Sequence, residues 1–161
     1  MSDIAGLRKR VEAATGADRE IDVLLFAELI DNRDVRTNEN NMFLGRNRKP
    51  PHDECVLGYI DPGKHARNFY TARNDIPLLT ASLDASLALV EKVKPLALHA
   101  ASFGFMYLGH FGAWCQLTGP SHELASDLID YGFAQIRDGD RDALPRAVIV
   151  SLLASMEAPD A

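Results

Sequence analysis

The segment PLALHAASFGFMYLGHFGAWCQLTGPSH, residues 95–122, contains no Asp, Glu, Lys or Arg. Two apolar and aromatic stretches in it are separated by Gly109 and His110, and a Gly-X pair favours the two-residue turn of a β-hairpin. We therefore predict two antiparallel strands that turn at this pair. In that register, Phe105 lies across from Trp114.

Both faces of the predicted hairpin are apolar. One face carries the aromatic residues Phe103, Phe105, Tyr107 and Trp114, and the other carries Met106, Leu108, Phe111, Cys115 and Leu117. An antiparallel sheet with one face in water would alternate apolar and polar residues. We therefore expect helices or another subunit to cover both faces. If the chain forms a homo-oligomer, the four aromatic residues are the predicted interaction patch, because aromatic side chains dominate interface energetics.

The uncharged run is also long enough to span a bilayer. A single spanning helix would, however, place His99, Ser102, His110 and Gln116 in hydrocarbon, which is costly. The basic N-terminal residues 8–10 are not followed by the apolar segment of a secretory signal. We therefore expect a cytoplasmic protein without a membrane partner.

Amphipathic segments extend outward from the hairpin on both sides. Apolar residues recur at helical spacing from Ile4, from Ile21, from Leu83 and from Pro145 onward. A further helix is predicted at about 121–137, and a strand at Cys55–Ile60. Helices with one apolar stripe need a sheet to bury it. The sequence thus predicts an α+β fold in a single domain, residues 1–161: a small antiparallel sheet with helices packed on both faces, an α-β-α sandwich.

Residues 31–54 predict a long polar loop, since they hold five asparagines and end near Pro50-Pro51. The loop contains a basic cluster, Arg46, Arg48 and Lys49, that would suit contact with phosphate groups. The whole chain has 17 basic and 23 acidic residues, a net charge of −6. That balance argues against a general nucleic-acid coat. Nucleic-acid contact through this cluster is the alternative hypothesis for function.

No motif for a metal, a cofactor or a catalytic centre is complete. His52 and Cys55 have ligand-like spacing, but a structural zinc site needs a second such pair. The acidic segment 138–142 begins like a calcium loop, yet its sixth and twelfth positions hold Ala143 and Ile149 instead of Gly and Glu. We assign no catalytic residue, metal ligand or cofactor. A small-molecule or metal site under the 31–54 loop remains a further alternative.

A set of segments resembles one known family. These are VEAATGADREID at 11–22, TASLDASLALV at 80–90, the hairpin with Trp114, and the proline-started apolar helix of 144–158. Together they resemble the phage ABA sandwich domain family, small phage-derived proteins common in alphaproteobacterial genomes. The resemblance implies a small sheet flanked by helices and a phage or prophage origin. It brings no established activity and no catalytic residue.

The chain departs from that family in the long connection 31–67, in the additional helix before the last one, and at Leu144, where a Thr is usual. Unpaired Cys55 and Cys115 fit a reducing compartment. From these observations we expect a non-enzymatic phage or prophage accessory protein that acts through protein–protein interaction.

Overall fold

The structure is a computed structural model that describes residues 3–93, 100–107, 111–118, 128–135 and 143–157. Contacts divide the chain into two compact units, where the sequence analysis expected one domain. Unit 1 comprises Met1–Asp18 and Leu78–Ala161, and unit 2 is the continuous segment Arg19–Pro77.

Unit 2 consists of one helix and a four-stranded antiparallel sheet. The helix α2 spans Arg19–Leu29, and the strands in chain order are β1 (Arg33–Thr37), β2 (Met42–Asn47), β3 (Glu54–Asp61) and β4 (Asn68–Thr71). The strand order β1-β2-β3-β4 makes the sheet a simple meander. Its core joins α2 to one face of the sheet through Val23, Phe26, Ala27, Phe43, Leu57, Ile60 and Ile76.

Unit 1 contains the other three helices and a three-stranded antiparallel sheet. Its helices are α1 (Ile4–Ala13), α3 (Leu83–Val93) and α4 (Ala143–Glu157), and its strands are β5 (Ala100–Tyr107), β6 (Phe111–Thr118) and β7 (Leu128–Gln135). The strand order is β5-β6-β7. Helix α4 packs on all three strands and also contacts α1 and α3. Because α4 has neighbours on several sides, it is buried around most of its circumference rather than along one stripe.

Helices packed on antiparallel sheets make this an α+β fold, as the sequence predicted. The four helices predicted from Ile4, Ile21, Leu83 and Pro145 are present within a few residues of their expected bounds. The predicted strand at Cys55–Ile60 lies inside β3.

The predicted polar loop at 31–54 was wrong, because β1, β2 and the start of β3 occupy most of it. Residues 33–37 pair with 43–47, and the turn between them holds Asn41 in the left-handed region, with φ of 58°. The asparagines therefore belong partly to a tight hairpin turn, where Asn is favoured. Strand β1 escaped prediction because Val35 is its only apolar residue, so it shows no alternating pattern.

The helix predicted at about 121–137 was wrong over Leu128–Gln135, which form strand β7, and the rest of that range lies outside the described residues. This strand pairs with β6, with Trp114 opposite Phe133 and Gln116 opposite Tyr131. Gly132 and the aromatic residues around it favour a strand over a helix. Pairing with β6 satisfies the backbone hydrogen bonds that a helix would otherwise have made internally.

The hairpin predicted from the uncharged run is present, but its register differs by one residue. Phe105 pairs with Ala113, and Trp114 pairs with Gly104. A shift of one residue moves a position to the other face of a sheet. Trp114 therefore lies at a register position on the opposite face of the sheet from those of Phe103, Phe105 and Tyr107.

Candidate functional site

One face of the unit 2 sheet packs on α2, and the other is turned away from it. Phe43 of the core face belongs to the same buried cluster as the α2 residues Val23 and Phe26, and Cys55 and Phe69 pack against that cluster. Side chains alternate along a strand, so their neighbours lie on the second face. We call this second face the open face; it is formed by Asp34, Arg36, Met42, Leu44, Arg46, Glu54, Val56, Tyr59, Asp61, Asn68 and Tyr70.

Two tyrosines stand side by side on the open face. Tyr59 in β3 pairs with Tyr70 in β4, and Met42 in β2 pairs with Tyr59 from the other side. Tyr59 is 48% exposed and Tyr70 is 57% exposed. Large aromatic side chains held at neighbouring register positions in solvent are the residue type that anchors protein interfaces.

A β-bulge places Tyr59 on the open face. The register between β2 and β3 shifts at Phe43/Leu44, so that Phe43 lies opposite Gly58 and Leu44 opposite Val56. Leu57 and Ile60 both enter the core, although they are three residues apart. Without the extra residue, strict alternation from Leu57 would turn Tyr59 inward and Ile60 outward.

Charged residues lie at the end of the open face opposite the tyrosines, next to its apolar part. Arg36 donates a hydrogen bond to Glu54 at 2.7 Å, and both are exposed. Arg46 is exposed and lies in register between Asp34 on β1 and Glu54 on β3. The open face thus carries two arginines and three carboxylates, with Asp61 at the tyrosine end.

The predicted basic cluster of Arg46, Arg48 and Lys49 does not form one exposed basic surface. Arg48 donates to Glu28 and to Asp34, the latter at 2.8 Å, and its guanidinium also reaches Asn32 at 3.2 Å. The hydrogen bond with Glu28 raises the pKa of Arg48, and the hydrogen bond from Arg48 lowers the pKa of Asp34. Arg48 therefore ties α2 to β1, while Arg46 lies on the open face and Lys49 is exposed beyond β2.

The observed register does not place the four residues of the predicted aromatic patch on one face of the sheet. Trp114 is half-buried in β6. Phe103, Phe105 and Tyr107 lie at positions of β5 opposite Cys115, Ala113 and Phe111. Their side chains lie outside the part of the structure described.

The candidate metal residues are placed as follows. His52 lies with Nδ1 3.3 Å from the carbonyl oxygen of Asn47, and Cys55 is half-buried against the unit 2 core. Across residues 3–93 and the described strands and helix beyond them, no three His, Cys, Asp or Glu side chains are grouped to hold a metal ion. The acidic segment 138–142 lies outside the described residues.

Both cysteines are free thiols. Cys115 is fully buried in β6, and burial raises the pKa of its thiol to about 11, although a hydrogen bond with Ser151 of α4 acts in the opposite direction. A thiol with so high a pKa is a poor nucleophile at neutral pH.

Sequence reasoning missed both tyrosines of the open face. The strand prediction at Cys55–Ile60 contained Tyr59 but gave it no role, and the sequence analysis gave no role to Tyr70. Their common exposure follows from the bulge and from the β3–β4 pairing. Neither feature has a local signature in the sequence.

Comparison of the chain with protein-family models, with curated proteins and with solved structures gave no match. In the described part of the chain, the helices are too short or too polar to cross a membrane.

Proposed function

We propose that this chain is a non-enzymatic accessory protein of phage or prophage type that acts by binding another protein through the open face of unit 2. The observation that carries the proposal is the pair Tyr59 and Tyr70, which the sheet holds side by side in solvent. As a cross-strand pair left in solvent, the two rings stabilise the sheet by only about 0.2–1 kcal/mol. An interface would gain both rings as rigid anchors.

The composition of the open face supports the proposal of a protein interface. At its middle, Met42 and Val56 are partly exposed, whereas Leu44 is buried, with 9% of its surface exposed. Arginines and carboxylates of both signs lie beside them. Such a mixture of aromatic residues, arginine and a polar rim is enriched at protein–protein interfaces.

The charges of this face favour a protein partner over a nucleic acid. Exposed aromatic residues on a sheet also stack on bases in RNA-binding folds, but they do so within a positive surface. Here three carboxylates face two arginines, and Arg36 is already paired with Glu54. The remaining basic cluster contributes little, because Arg48 is held by Glu28 and Asp34.

The test is co-purification of the tagged full-length chain from cells that carry its gene, comparing wild type with the double variant Y59S/Y70S. We expect a stoichiometric protein partner with the wild type that is lost with the double variant. The matched control is L78S, which removes another exposed apolar side chain (Leu78 is 54% exposed) that does not belong to the open face. This control should retain the partner.

Binding of the purified partner to each variant should then be measured by calorimetry. Removal of two aromatic anchors should weaken affinity by about 2–4 kcal/mol, the usual range for such residues. A partner that binds Y59S/Y70S as tightly as the wild type would rule out this surface. If the only bound protein is a second copy of the chain, sedimentation velocity of the same variants will show it.

A further inference from the structure

The tyrosine end of the open face also holds two carboxylates. Asp61 follows Tyr59 by two residues on the same face of β3, opposite Asn68 of β4. The β1–β2 turn, residues 38–41, lies at the same end of the sheet and holds the exposed Glu39. The carbonyl oxygen of Asn41 accepts a hydrogen bond of 2.8 Å from the amide of Ile60, which fastens this turn next to Tyr59 in β3.

The turn is well ordered by its own hydrogen bonds. The Asn38 carboxamide oxygen accepts from the amides of Asn40 and Met42, each at 3.0 Å. The amide of Asn41 also donates to the carbonyl of Asn38 at 3.1 Å. Glu39 is therefore presented from a fixed backbone, and little conformational entropy of the turn is lost when a partner binds.

These two carboxylates differ from those at the other end of the face. There, Glu54 is paired with Arg36 and Asp34 with Arg48. Among the described residues, neither Glu39 nor Asp61 forms an ion pair; one oxygen of Asp61 accepts only the amide of Gly63 at 3.0 Å. The exposed Lys64 of the following loop likewise forms no ion pair in the described part of the chain. The end of the open face that carries the aromatic pair thus holds two carboxylates without an ion-pair partner among the described residues.

We propose that this end of the open face binds an arginine side chain of the partner protein, with the guanidinium against Tyr59 and Tyr70 and its charge met by Asp61 and Glu39. The inference rests on the proposed function and adds the chemistry of the partner. A guanidinium stacks on aromatic faces and forms two-pronged hydrogen bonds to carboxylates.

The test uses the isotope-labelled full-length chain and two synthetic peptides. One is a Gly/Ser peptide carrying two arginines, and the other has citrulline in place of each arginine, which keeps the shape and removes the charge. We expect the arginine peptide to shift the amide resonances of residues 39–42, 59–61 and 68–70, with affinity that falls as salt is raised. The citrulline peptide should bind about tenfold more weakly or not at all, consistent with loss of a charge-assisted contact.

Three variants locate the contact. D61N and E39Q should each lower affinity for the arginine peptide by about threefold to tenfold. Y59S/Y70S should abolish the resonance shifts. D53N is the matched control, because Asp53 is an exposed carboxylate of the same unit outside the open face and its loss changes the net charge equally. The amide spectrum of each variant reports whether it is folded, and Asn at 61 can still accept the bond from Gly63.

The outcomes separate this inference from the proposed function. Equal binding of the two peptides, or no binding of either, overturns the arginine site even if the natural partner is still lost with Y59S/Y70S. A natural partner that remains bound to Y59S/Y70S overturns the proposed function instead. Shifts of the same resonances by a thymidine oligonucleotide, and not by the arginine peptide, would assign the face to nucleic acid and overturn both.

Discussion

Gly58 shows most directly how one residue constrains the unit 2 sheet. A Cβ atom at this position would come within 2.4 Å of the Phe69 ring and 2.7 Å of the carbonyl oxygen of Tyr70. Phe69 in turn packs edge-on against Phe43, with ring centroids 5.3 Å apart. Close packing of these rings against the β3 backbone therefore requires the absence of a side chain at 58.

We predict that G58A lowers the free energy of unfolding by about 1–3 kcal/mol, the usual cost of overpacking a core. Chemical denaturation of the purified variant measures it. G16A serves as the control, since a Cβ there meets nothing within 4 Å and should change stability by less than about 0.5 kcal/mol. Equal stability of G58A and wild type would show that Phe69 does not pack on β3 as described.

Arg48 is a second residue whose role is structural. Its guanidinium joins Glu28 at the end of α2 to Asp34 in β1, and Glu28 is only 16% exposed. R48M should therefore destabilise the protein by about 1–3 kcal/mol, because it leaves Glu28 without its charged partner. The neighbouring variant K49M should have almost no effect, since Lys49 is exposed. Thermal unfolding of the two variants compares them directly, and similar losses for both would contradict this role.

The ion pair of Arg48 with Asp34 also predicts that the stability of the fold depends on pH. Hydrogen bonding from Arg48 lowers the pKa of Asp34 below its ordinary value of 3.8, and Arg73 does the same for Asp75. A carboxyl whose pKa is lower in the folded state stabilises the fold above its unfolded pKa, and that contribution is lost as pH falls through the folded value. We expect stability to drop below about pH 4 for this reason.

NMR titration of the side-chain carboxyl carbons checks this expectation. Asp34 should titrate below 3.8 in the wild type and return toward that value in R48M, while Asp75 should not respond to that substitution. An Asp34 that titrates at its ordinary value in the wild type would exclude the ion pair in solution.

At the scale of elements, helix α4 organises unit 1. Its residues from Ala147 to Leu153 are almost completely buried. The fully buried Arg146 donates a hydrogen bond to the carbonyl of Ala14, the C-cap residue of α1, where a positive charge is favourable. The helix is thus held by apolar contacts around its surface together with this hydrogen bond at the end of α1.

We predict that L152A costs about 2–5 kcal/mol of unfolding free energy, because it opens a cavity in a helix that has neighbours on several sides. L78A, a truncation of the same size at an exposed site, should cost less than about 1 kcal/mol. Circular dichroism during urea denaturation gives both values. A loss at L152A no larger than at L78A would mean that α4 is not central to unit 1.

At the scale of the whole molecule, unit 2 is a continuous insertion in the chain of unit 1. The two ends of unit 2 are held together by Arg19, which donates to the carbonyl oxygens of Ile76 at 2.5 Å and Pro77 at 2.7 Å. On the unit 1 side, the amide of Asp18 donates to Thr80 at 2.8 Å. In each unit, hydrogen bonds therefore join the two chain segments that meet at the boundary between the units. The open face lies entirely within the inserted segment.

Charge is divided unequally between the two units. Unit 2 has nine basic and ten acidic residues, whereas unit 1 has eight and thirteen, so most of the net charge of −6 belongs to unit 1. Repulsion between like-charged molecules opposes association, and it vanishes near the isoelectric point. We predict a solubility minimum near pH 5.3, with recovery by pH 7, measured as soluble concentration after equilibration. A solubility minimum at another pH would show that local surface patches, rather than the net charge, govern association.

The sequence by itself determined the features that arise from local patterns. Helices α1 to α4 repeat apolar residues at helical spacing, and β3 contains a compact apolar run before a Pro-Gly turn. Each of these signals lies within one element, so neighbouring residues suffice to predict it. The α+β class follows from these elements together. The net charge likewise needs only the composition.

Only the tertiary structure decided β1, β7 and the open face. Strand β1 is almost wholly polar, and it is a strand because β2 supplies its hydrogen bonds across the sheet. The face on which Tyr59 lies depends on one extra residue in β3. Trp114 lies on the opposite face from the predicted one, because the observed β5–β6 register differs from the predicted register by one residue. Register is a relation between distant segments, and a one-residue difference reverses every side chain, so periodicity within a single strand does not determine it.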